Sequence, residues 1–517
     1  MARRIAAAGH RVVVLESGEA EHRDAAQALN EIEDPGNRYT RSLSGRHRGL
    51  GGTSSRWGGR MIPVSDYETG PRRELDEEGW PMAPRLLAPY QREIETIFRV
   101  AGGSFDTMPF GADAFPADAD TFHPRWAKCP SFANCNLATL LRGELKGNGN
   151  IEIWLDATVT DFRLDRANGR LEALVARSLS GKQLFARARH FVVAAGTIET
   201  TRLLLLLDRA SEERAFARTD ALGRFFQDHL KAEVATIDRS DPVATNRLFA
   251  YRFVNGTRRD LHLDLSASAQ KADKVSGAFA YISMDLAESA LASIKKVAHG
   301  LQRRQLRLAD VGQASTHLGT LARSAYWRLA KGQLYVPPAI KQRIFVCVEQ
   351  LPRWSNRITL GQSLDPLGVP RARLEWGPTE ADERTFRTTV SRLKQYWAKA
   401  DFDTLCPLNL SPAARNADQP IIAGAEACAH PSGSARMGTN PASSVTRPDL
   451  RCHDVNNLSV VGAAVFPTAG SANPTFTIMQ LAHWAADQHL GLLARSADAS
   501  GLLHKDVLTG EALLGMV

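Results

Sequence analysis

The chain has 517 residues, 44% of them hydrophobic and 23% charged, with a formal net charge of +8. That length allows a large core in two or three domains. No run of 18 or more apolar residues occurs, which excludes a membrane-spanning helix; even residues 191–207 are interrupted by Thr197, Glu199, Thr200, Thr201 and Arg202. The excess charge is local, because residues 291–343 carry ten Lys or Arg against one acid, Asp310, and so hold +9 against −1 for the remainder. This argues against a general nucleic-acid binder.

Residues 2–18 (ARRIAAAGHRVVVLESG) read as a helix ending near Gly9, then a buried strand over 11–15 closing on Glu16. In a Rossmann-like βαβ unit an acid ending the second strand hydrogen-bonds the ribose hydroxyls of a dinucleotide, and Glu16 is placed for that role. The first strand and G-x-G-x-x-G turn of such a unit would precede residue 1, so the chain as numbered is expected to bind a dinucleotide weakly. Residues 49–59 (GLGGTSSRWGG) contain five Gly in eleven positions, too many for a stable helix or strand, and predict a backbone packed close to a ligand.

The six Cys, at positions 129, 135, 347, 406, 428 and 452, form no convincing zinc or disulfide framework, so a reducing, cytoplasmic compartment is expected. Cys129 and Cys135 read as two loop thiols, with a metal or disulfide pair as the alternative. Residues 151–159 (IEIWLDATV) alternate into a strand and turn, and 191–196 (FVVAAG) form a buried strand leading into a helix at TIETTRLLLL. Asp228 and His229, in GRFFQDH, read as structural polar anchors rather than catalysts. Within 291–343, Ile294, Val297, Leu301 and Leu308 share one helical face opposite Lys296, Arg303 and Arg307; this is a solvated face, or else a surface for an anionic membrane or an acidic protein. Residues 343–350 and 356–360 read as strands of a large antiparallel sheet. Finally, 458–465 (LSVVGAAV) reads as a fully buried strand that delivers the chain to the turn holding Asn473, with a helix starting near Thr475.

The stretch from His430 through Asn473, with H-x-x-G-x-x-R-M-G at its start and S-A-N-P-T near its end, resembles the glucose-methanol-choline (GMC) flavin oxidoreductases, and its ending is similar to that of pyranose oxidases. Residues 49–59 resemble the family's G-G-x-S loop beside flavin and pyrophosphate, here Gly51, Gly52, Thr53 and Ser54. Val159 resembles the residue whose backbone meets adenine, and Ala195 and Gly196 lie in its A-A-G-x-I-x-[ST] element. Ala463, Asn473, Pro474 and Thr475 complete the cofactor contacts that the resemblance implies.

The resemblance implies a discontinuous Rossmann-like FAD domain (1–60, 151–230 and 430–495), an α+β substrate domain on a large antiparallel sheet (61–150 and 231–429), and a C-terminal tail (496–517). It further implies an FAD-dependent oxidation of a CH–OH group, with His430 as base and Asn473 as its polar partner. A secondary hydroxyl of a sugar or glycoside is the expected substrate, with oxygen, a quinone or a redox protein as electron acceptor. Several relatives link flavin through a His where this chain has Arg56, so non-covalent FAD is expected. An apolar alcohol such as a sterol or terpenoid stays open as substrate, as does a flavin-free structural role.

Overall fold

The computed structural model describes residues 1–108, 114–165, 169–284, 318–500 and 512–516. Two large sheets dominate it. In the first, the wholly buried run Val12–Leu15 pairs in parallel with Ile151–Trp154 on one side and Ala512–Met516 on the other. Ala512–Met516 pairs in parallel with Gln183–Val193, which in turn carries Leu458–Val460, also parallel. The far end turns antiparallel through Arg170–Arg177 and Thr158–Asp165. The residues read as a tail thus contribute a strand to the middle of this sheet. Parallel strands buried on both faces need continuous apolar runs, and Phe191, Val192, Val193, Leu458 and Val460 meet in one core with Leu203, Leu204 and Leu207 of the helix Thr197–Ala210.

The second sheet has eight strands, and all its pairings are antiparallel. Alternation along Thr257–Leu265 puts Leu261, Leu263 and Leu265 into a second core, leaving Arg258, Asp260, His262 and Asp264 for the opposite face. That core is closed by the helix Glu380–Lys399, started by a capping box between Thr379 and Asp382 and burying Phe386, Leu393 and Trp397.

Two further expectations change, and one is not described. Residues 458–465 are not one strand: the strand is Leu458–Val460, Gly462 takes φ 144°, and Ala463–Val465 closes a 3-10 turn. The apolar run reports burial, which the turn shares, so periodicity could not separate the two. Arg357–Leu364 pairs with Pro370–Glu375 as a hairpin outside the eight-stranded sheet. The amphipathic face at 294–308 lies outside the described residues; the adjoining helix Leu318–Ala330 is described. Among the described residues no helix is long and apolar enough to cross a membrane.

Candidate active site

His430 follows the short strand Glu426–Ala427, which pairs with the start of His229–Ile237 on the second sheet. Its backbone N–H donates to Asp228 Oδ1 at 2.9 Å, and Asp228 Oδ2 accepts the Tyr39 hydroxyl at 2.7 Å. From the other side, Thr197 Oγ1 donates to the Pro431 carbonyl at 2.6 Å, tying the segment to the helix that follows Gly196. Asn473 immediately precedes the helix Pro474–Ser500, where Pro supplies a preset φ and no unsatisfied N–H. These independent anchors bring Asn473 Nδ2 to 3.3 Å from His430 Nε2, both residues half-buried. Asn473 Oδ1 is buried and has no hydrogen-bond partner among the described residues, an acceptor left for a bound molecule.

Enclosure in the protein, then the neighbouring His229, Arg60 and Lys231, hold the His430 pKa well below that of free imidazole. The ring is therefore neutral at working pH, with a lone pair available. His229, read from sequence as a structural anchor, is in direct contact: its Nδ1 lies 2.8 Å from His430 Nδ1. Nothing in the sequence pairs two residues 201 positions apart. The one usable signal was its place beside Asp228, at the start of a strand in the second sheet.

Part of the expected cofactor set stands at one edge of the first sheet. Glu16, Ala195–Gly196 and Gly462–Ala463 each stand just beyond the carboxyl end of a parallel strand, the edge where open α/β sheets bind nucleotides. Gly196, with φ +73° and ψ 159°, and Gly462 both have open space where a Cβ would point. Gly52, at φ +52°, also faces open space, whereas a Cβ on Gly51 would meet Asn136 Oδ1 at 2.4 Å. Gly196 and Gly462, in conformations that favour glycine, thus leave open space beside the strand ends where a flat, phosphate-bearing cofactor fits.

Other members of the set are less free. Glu16 Oε1 accepts the N–H groups of Gly18 and Gly49 at 2.7 and 2.9 Å, and burial raises its pKa to about 7. Ser54 Oγ donates to the Gly51 carbonyl and accepts the Leu137 N–H, so it shapes the loop itself, while Thr53 is exposed. Ala195 donates its N–H to Thr200 Oγ1 at 3.1 Å, and Val159 pairs with Ala176. Ala463 accepts from the Gly433 N–H at 2.9 Å, Pro474 is buried and Thr475 half-buried. Arg56 is exposed and meets His22 Nδ1 at 3.1 Å. All six cysteines are free, Cys129 buried within a strand rather than a loop, and among the described residues no group of His, Cys, Asp and Glu could hold a metal ion.

Residues 352–482 match a family model described as GMC oxidoreductase. A 2-methyl-1,2-propanediol dehydrogenase of Mycolicibacterium austroafricanum is 33% identical over 145 residues, 28% of this chain and 24% of that protein. A C-glycoside 3-oxidase of Arthrobacter globiformis is 29% identical over 156 residues, 30% and 28% of the two chains. The matches therefore span about a quarter of these curated relatives' length. Among solved structures, pyridoxine 4-oxidase from Mesorbium loti aligns with a TM-score of 0.57 at 16% identity, over 95% of this chain and 96% of that one. Formate oxidase of Aspergillus oryzae aligns with a TM-score of 0.55 at 15% identity, over 94% and 95%. Residues 352–482, which hold His430 and Asn473, are thus similar to the GMC oxidoreductases, and the chain shares its overall fold with the two solved oxidases.

Proposed function

We propose that the protein is an FAD-dependent oxidoreductase that oxidises a CH–OH group, with a secondary hydroxyl of a sugar or glycoside as substrate. The observation that carries this reading is the approach of Asn473 to the free nitrogen of a neutral His430. In this reading FAD is held without a covalent bond by Glu16, Gly52, Gly196 and Ala463, in a discontinuous domain facing a substrate domain built on the eight-stranded sheet. When bound there, the flavin supplies the hydride acceptor. His430 Nε2 accepts the hydroxyl proton, and Asn473 Nδ2 donates to the same oxygen, so the carbinol carbon is oriented while the proton leaves.

The sugar reading has two supports. The names of two relatives, C-glycoside 3-oxidase and the 6'''-hydroxyparomomycin C oxidase of Streptomyces lividus, concern glycosides. Arg60 and Lys231, whose charges reach His430, bring cationic N–H donors close to the site, which suits a substrate with several hydroxyls. The test is to load the protein with FAD and follow the flavin band against glycosides, small alcohols and sterols, with oxygen or a quinone as final acceptor. Bleaching by glycosides is expected; bleaching only by sterols or terpenoids selects the apolar alternative, and no bleaching by any alcohol defeats the proposal.

A further inference from the structure

The two imidazoles at the site meet nitrogen to nitrogen, His229 Nδ1 against His430 Nδ1 at 2.8 Å, with the rings nearly perpendicular at 85°. One nitrogen of such a pair donates and the other accepts, and the rest of the chain decides which. His229 Nε2 lies 2.5 Å from the Gly470 carbonyl oxygen. A carbonyl only accepts, so His229 carries its hydrogen on Nε2. Burial keeps His229 neutral, which leaves its Nδ1 as a bare lone pair. His430 must then donate from Nδ1, and its own lone pair stands on Nε2, the nitrogen that faces Asn473 Nδ2. This deduction does not depend on which way the Asn473 amide is turned.

The Gly470 carbonyl that sets this order is itself fixed. Gly470 adopts φ +61°, and a Cβ there would meet Val64 Cγ2 at 2.4 Å. Its N–H donates to Glu349 Oε1 at 3.0 Å, and the next N–H, of Ser471, donates to Glu68 Oε1 at 3.1 Å. Arg72 clamps Glu349 with two bonds of 2.6 and 2.9 Å, both side chains fully buried.

We propose that His229 is a positioning residue: relaying the Gly470 carbonyl, it holds His430 in the Nδ1–H tautomer, so that Nε2 is the nitrogen presented to a substrate hydroxyl. The opposite tautomer sets two lone pairs against each other between the rings and turns a hydrogen toward the substrate, where a base is needed. The inference rests on the proposed alcohol oxidation for its purpose, but not for its geometry.

The experiment has two arms on FAD-loaded protein. In the first, histidine is labelled with 15N and the His430 signals are identified by their loss in His430→Gln. A protonated Nδ1 and an unprotonated Nε2 are expected, and a protonated Nε2 overturns the proposal whatever the catalytic activity. In the second, His229→Asn keeps an acceptor near the position of Nδ1 and His229→Leu removes it. His229→Leu should lower kcat about tenfold or more with little change in KM and give mixed His430 tautomers. His229→Asn should recover most of the rate and the single tautomer. Equal spectra and rates in His229→Leu and the parent overturn the assignment. A correct tautomer in a protein that oxidises no alcohol counts against the functional reading alone.

Discussion

Asp228 and His430 are joined side chain to backbone: one carboxylate oxygen accepts the His430 N–H while the other holds the Tyr39 hydroxyl. The group is fully buried, so removing it strands two donors in the interior. Asp228→Ala is expected to cost about 2–4 kcal/mol in urea unfolding, and Tyr39→Phe about 1 kcal/mol. Asp228→Ala should also slow alcohol-driven flavin reduction, because the backbone that carries the base loses its tether.

The catalytic pair predicts an ordered loss. His430→Ala should cut stopped-flow flavin reduction about 10²-fold or more, the usual contribution of a general base. Asn473→Ala should cut it less, since an orienting hydrogen bond is lost while the base remains. Both variants should keep the parent flavin spectrum. Near-parent reduction in His430→Ala would remove it as the base.

Gly196 sits in a backbone region that only glycine occupies readily. Gly196→Ala should lower stability by about 1–3 kcal/mol. Because the added methyl points into open space beside the proposed cofactor, FAD affinity measured by fluorescence titration should also fall. Unchanged FAD affinity would place the flavin elsewhere.

Stability should depend on pH through a buried histidine pair. His190 and His489 lie with ring centroids 4.4 Å apart, and burial lowers their pKa values to about 3 and about 4. The unfolded chain takes up protons below about pH 6.5 that the folded chain refuses, so stability falls as pH drops from about 6.5 to about 4, by up to about 1.4 kcal/mol per pH unit for each ring. Asp228, Glu16 and Glu77, raised to about 7, act with the opposite sign over part of that range. The check is therefore a comparison: urea midpoints between pH 7.5 and 5 should vary less steeply with acid in His489→Phe than in the parent.

The sequence disclosed what short-range chemistry encodes. His430 and Asn473 stood out because Gly, Pro and small residues surround each, and those residues specify the turns that expose them. The glycines at 51, 52 and 196 were legible because backbone conformation alone selects them. The His229 contact was not legible, since it depends on two strands and a loop meeting from distant parts of the chain. For the same reason the Arg72–Glu349 clamp under Gly470 left no trace, and residues 356–360 looked like any other half-buried strand of the large sheet.

The first sheet gathers strands from residues 12–15, 151–193, 458–460 and 512–516, and its middle pairings join Val12 to Leu513 and Phe191 to both Leu458 and Leu514. Closing loops of several hundred residues costs conformational entropy before any pairing repays it. During synthesis the early strands therefore wait, with their edges open, for segments made several hundred residues later. We expect the sheet to close only after residues 458–460 and 512–516 have emerged, and chains stalled before residue 458 to expose pairing edges that bind chaperones or aggregate.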